Sequence, residues 1–129
     1  MGFDAVESKA VRKVNPKYQA ITVADGQTAP AAGAYVNTEG KYVIGVETDA
    51  AFDGAKVVWY GARTKALADA GTWKAMNWDG AALETTIGAS GSSGLDPLKF
   101  RVYNFLRPVS GTAQSGAATV IGVILGDLR

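Results

Sequence analysis

Turn signals punctuate this chain so often that only short elements fit between them. Asp25-Gly26, Glu39-Gly40 and Asp79-Gly80 each place a glycine behind an acidic residue, a pairing suited to tight turns. Gly71 and the run from Gly88 to Gly94 add further breaks. Between the breaks, side chains alternate as a strand requires. The pattern predicts strands over Tyr18 to Val23, over Tyr42 to Thr48, and around Leu83, Thr85 and Ile87. Leu98 to Leu106 reads as another strand, with a bulge or bend near Val102 and Tyr103, ended by Arg107-Pro108. Ala118 to Leu125, apolar on both faces, reads as a buried closing strand. Thr64 to Ala70 has room for one helical turn, stopped by Gly71. The expected fold is all-β, an antiparallel β-sandwich of about seven to eight strands.

The stretch from Phe52 to Trp78 carries all three tryptophans. It reads as two short strands joined by a loop, with Val57 and Trp59 on one face and Val58 and Tyr60 on the other. Trp59, Trp73 and Trp78 would then share one aromatic block. Large aromatic rings favour cores, so Trp59 and Trp73 are expected inside. Trp78, beside Asp79-Gly80, is expected at the surface as a protein contact. The competing use of Trp59, Tyr60, Trp73 and Trp78 is a sugar-stacking platform, which would make the chain a carbohydrate-binding module.

The 129 residues suit a single domain. With no histidine and no cysteine, the chain lacks disulfides, a thiolate nucleophile, a Ser-His-Asp arrangement and the usual zinc ligands. Glu47, Asp49 and Asp53 offer oxygens to calcium but without the EF-hand spacing; acids in a turn also serve it locally. The loop at 88–94 lacks the Gly-Lys-Ser/Thr of a phosphate-binding loop, and Ser90 misses the Gly-x-Ser-x-Gly spacing. A non-enzymatic chain without a cofactor is therefore expected. A net charge of +1 gives no field towards nucleic acid or an acidic membrane. Ala117 to Leu125, the longest apolar run, is too short to span a bilayer. Met1 to Glu7 lacks the basic and apolar regions of a signal peptide, so a soluble protein used without export is expected.

Residues 1–17 stand apart from a sandwich domain over 18–129. They hold two acids and four bases, leaving nine bases against ten acids elsewhere. Asp4 and Glu7 could open a short helix with Val6, Ala10 and Val14 along one face. Pro16 and the valines favour an extended arm instead. Either form has little core of its own, so it gains order by docking on a partner. Phe3, Val6, Val11, Arg12, Lys13, Val14 and Trp78 are the candidate partner-binding residues.

Three pieces of the chain carry a resemblance. The first is Phe52-x-Gly54-x-x-Val57-x-Trp59-x-Gly61 with Asp69-x-Gly71-Thr72-Trp73 and Asp79-Gly80. The second is Tyr103-x-Phe105-Leu106-Arg107-Pro108-Val109-Ser110-Gly111-Thr112, and the third is the strand from Ala118 to Leu125. Together they fall within Phe52 to Leu125, a little over half the chain, and resemble small β-sandwich structural proteins of tailed bacteriophages, often capsid decoration (cement) proteins. The chain departs from that pattern in the insertion Thr64 to Ala70, in Ala70 between Asp69 and Gly71, and in its N-terminal segment. The resemblance implies a virion protein made in the host cytoplasm and placed on the capsid surface. It implies a homo-oligomer, with a trimer favoured, and contacts with the major capsid protein or other virion subunits. It implies no catalytic residues, and a tail or baseplate component would share the fold.

Overall fold

A computed structural model of the chain describes residues 16–127. The helix-or-arm question, and with it Phe3, Val6, Val11, Arg12, Lys13 and Val14, lies outside the described residues. Within them the protein is all-β, with two antiparallel sheets that share one apolar core.

The first sheet runs β1 (Lys17–Val23), β11 (Thr119–Gly126), β3 (Tyr42–Thr48) and β9 (Ser92–Gly94), in that spatial order. Lys17, placed above in the N-terminal segment, opens β1 and pairs with Leu125. The second sheet runs β2 (Val36–Asn37), β10 (Phe105–Ser110) and β4 (Lys56–Ala62). The far edge of β4 is shared: β8 (Glu84–Thr86) pairs with its first half and β5 (Lys74–Ala75) with its second. Between β5 and β8 the chain leaves the sheet as a small hairpin, β6 (Asn77–Trp78) and β7 (Ala81–Ala82). The eleven strands exceed the expected seven to eight because pieces of two or three residues, too short to show a period, count among them.

Ile21, Val23, Ile121, Val123 and Leu125 face Val36, Val57, Trp59 and Leu106 across the core. Val43 and Val46 both point inward although their spacing along β3 is odd. A register shift between Ile124 and Leu125 explains this: an extra residue in β3 resets the alternation. Helix α1 (Lys65–Asp69) forms where one turn was expected, with the Thr64 side chain accepting from Leu67 N–H. Asp79 and Gly80 both take positive φ (56° and 85°), the geometry of a two-residue hairpin turn.

Two expectations are corrected. Leu98 to Leu106 is not a strand: Pro97–Phe100 is a 3-10 turn, followed by a bend, and β10 begins only at Phe105. Asp96 caps the turn by accepting from Leu98 N–H, Pro97 fits its first position, and Phe100 lodges edge-on against Trp59 at 4.9 Å. Nor does Arg107-Pro108 end the strand, since both lie within β10. Trp59 sends its N–H to Leu83 and its C=O to Met76, away from β10. Pro108, opposite Trp59, therefore turns its donor-less nitrogen to the side where β2 has already stopped.

The loop at 88–94 is likewise partly strand. Ser92–Gly94 pairs with Gly45 to Glu47 on the edge of β3. Thr48 Oγ1 donates to the Gly88 carbonyl and accepts from Gly91 N–H, fixing the approach. Backbone groups alone make the ladder between β9 and β3, so the glycine and serine side chains give no strand pattern to read.

Candidate functional site

The outward face of the second sheet is unusually aromatic. On β10, Phe105, Arg107 and Val109 point outward while Leu106, Pro108 and Ser110 are buried. On β4 the outward residues include Val58 and Tyr60, half-buried. Register sets Arg107 opposite Tyr60 and Val109 opposite Val58. Trp73, arriving from the loop before β5, lies over this face at 5.8 Å from the Arg107 guanidinium carbon, a cation–π distance. Tyr35, just before β2, packs on Trp73 (5.7 Å) and on Phe105 (5.8 Å).

Polar contacts hold the aromatic rim in place. The Tyr35 hydroxyl donates to Asp69 Oδ1, and Lys65 donates to Asp69 Oδ2 at 2.7 Å. These bonds tie α1 to the strand edge. The bond to Asp69 raises the Tyr35 pKa above the usual phenol value, and the bond from Lys65, with that from Tyr35, lowers Asp69. Arg107 Nη2 donates to the Pro30 carbonyl at 2.8 Å, which fixes the guanidinium plane.

Trp73 and Arg107 border an open depression of about 310 Å³ on this face. Tyr60, Arg107 and Val109 form its floor, Trp73 and Gly71 one rim, and Thr28 and Ala29 the other. The floor is half-buried and the Thr28 and Gly71 rim positions are exposed.

The three tryptophans do not share one block. Trp59 is fully buried and its Nε1 donates to Thr85 Oγ1 at 3.0 Å, which removes it from any sugar platform. Trp73, expected in the core, is half-buried on the outer face. Trp78 is 45% exposed on the β6–β7 hairpin, with the Lys99 ammonium 5.7 Å from its ring. Register separates them: Trp59 points inward from β4, whereas Trp73 and Trp78 leave the chain at opposite ends of the β5–β6 segment. Arg107, Tyr35 and Phe105 are not among the candidate site residues read from the sequence. Reading Phe105, Arg107 and Val109 as one strand face would have found two of them.

The carboxylates of Asp49 and Asp53 are taken up by structural bonds, most of them to distant parts of the chain. Asp49 accepts from Thr119 Oγ1, Val120 N–H and Ala51 N–H. Burial pushes its carboxyl up, but these three bonds outweigh it and hold it below the usual value. Asp53 accepts from Ser115 N–H, and Glu47 is exposed. Among the described residues no group of three or more acids could hold a metal ion, and no helix is long and apolar enough to cross a membrane.

No protein-family model matches the chain, and neither a curated protein nor a solved structure matches it.

Proposed function

We propose that this protein is a non-enzymatic structural subunit of a tailed-phage virion, a head decoration protein that stabilises the shell through contacts between subunits. The observation that carries this reading is where the three resembling pieces fall. The first supplies β4, the loop that ends at Trp73 and the turn of the β6–β7 hairpin, the second supplies β10, and the third supplies β11. They therefore supply three strands that are paired on both sides, two in the second sheet and one in the first. Trp78, held out from the sheet on a hairpin whose base residues Met76 and Leu83 are buried, supports a contact role, because exposed aromatics on rigid supports are favoured interface anchors. In this reading the N-terminal residues Phe3, Val6, Val11, Arg12, Lys13 and Val14 grip a neighbouring subunit, and the homo-oligomer is a trimer.

Light scattering of the purified chain, with co-sedimentation on shells of the particle that encodes it, tests the proposal. The expected result is a trimer that pellets with the shells, and Trp78→Ser is expected to weaken pelleting at least several-fold without unfolding the domain. A chain that neither self-associates nor pellets would overturn the reading.

A further inference from the structure

We propose that the depression on the outer face of the second sheet binds an acidic sugar residue, its ring stacked on Trp73 and Tyr60 and its carboxylate held by Arg107. This site stands whether or not the chain decorates a shell.

Arg107 differs from the other described arginines. Arg63 and Arg101 are exposed, whereas Arg107 is half-buried on the floor of the depression. Its guanidinium is fixed twice, by the Pro30 carbonyl and by the Trp73 ring. It has no carboxylate partner among the described residues, because all four ion pairs there use lysines. A fixed planar fork with donors to spare matches a carboxylate in two-point contact. One cation is a poor match for a phosphate dianion, and an uncharged apolar ligand would cover the guanidinium without replacing its water.

The rest of the cavity selects a sugar ring rather than a bare carboxylate. Tyr60 and Trp73 belong to the outer face and not to the core cluster, and both line the depression half-exposed; a sugar ring would meet the part of Trp73 that Tyr35 and Arg107 leave uncovered. The hydroxyls of Thr28 and Tyr60 make no hydrogen bond with other described residues and can meet ring hydroxyls. At about 310 Å³ the depression lies at the small end of ligand sites, a size suited to one sugar residue of a longer acidic chain.

The test is titration of the full-length protein with tri-galacturonate, followed by tryptophan fluorescence and backbone amide shifts. Maltotriose, acetate and triglutamate serve as the neutral sugar, the bare carboxylate and the acidic peptide. Saturable binding of tri-galacturonate is expected, with shifts centred on Thr28, Tyr60, Trp73 and Arg107. Each of the three comparison ligands is expected to bind at least tenfold more weakly. Arg107→Gln and Trp73→Leu are each expected to lower affinity about tenfold or more, and Arg107→Lys to fall between. Trp78→Ser is expected to bind as the parent does. Absence of saturation, shifts centred elsewhere, equal affinity for maltotriose, or unchanged binding by Trp73→Leu would overturn the proposal. Equal affinity for triglutamate would replace the sugar by an acidic peptide and equally overturn it.

Discussion

Two polar contacts, one buried and one half-buried, show how single residues fix this fold. Trp59 fills the centre between the sheets and spends its only donor on Thr85 Oγ1. Trp59→Phe removes that bond and part of the ring, and a loss of about 2–3 kcal/mol in urea unfolding is expected. Asp49 acts as a hub where the end of β3 meets the start of β11. Its pKa is lowered in the folded state, so its contribution is complete above the unfolded-state value, about 3.9, and is lost as pH falls through the folded value. Asp49→Ala is expected to cost about 1–3 kcal/mol at neutral pH. The gap to the parent should narrow as the pH falls from about 4, the unfolded-state value, through the lower folded-state value; a gap independent of pH would show that packing, not charge, is responsible. Asp49 was visible in the sequence only as one acid of a loose turn cluster. Two of its three partners lie some seventy positions away, beyond any local pattern.

Elements are set partly by local pattern and partly by their neighbours. Gly61 and Gly122 both lie in strands, and a Cβ at either would strike a tyrosine ring. At Gly61 the atoms met are the root of the Tyr103 side chain, which is packed against the core. At Gly122 they are the far end of Tyr18, a side chain 54% exposed that can swing aside. Gly61→Ala is therefore expected to cost about 1–3 kcal/mol, and Gly122→Ala to stay within about 0.5 kcal/mol of the parent; equal costs in chemical denaturation would refute the distinction. Pro108→Ala should also fold, losing no more than about 1 kcal/mol, because the proline nitrogen replaces no ladder bond. The β3 and β11 strands were legible from alternation and apolar content. By contrast β9 was hidden, because serine and glycine enter a sheet through backbone bonds alone.

For the whole molecule, the described residues of the two sheets close on one core. A chain starting at Pro16 is expected to keep the cooperative unfolding midpoint of the parent within a few degrees by circular dichroism. Loss of folding on that truncation would show that the N-terminal segment belongs to the domain. Joined to the scattering and pelleting experiments, the same truncation separates a role in assembly from a role in stability.

The sequence by itself determined the all-β class, the places of the tight turns, the single helical turn at 65–69, the inward set on β4 and the exposure of Trp78. Each follows from local physics: strand alternation, glycine at positive φ, side-chain capping of a helix end. The tertiary structure alone decided that Arg107-Pro108 continues a strand, that Phe100 leaves its expected strand to meet Trp59, and that Tyr60, Trp73 and Arg107 gather in one depression. These outcomes rest on register and on which strand edge ends where. Both are settled by partners distant in the chain, and no residue carries them alone.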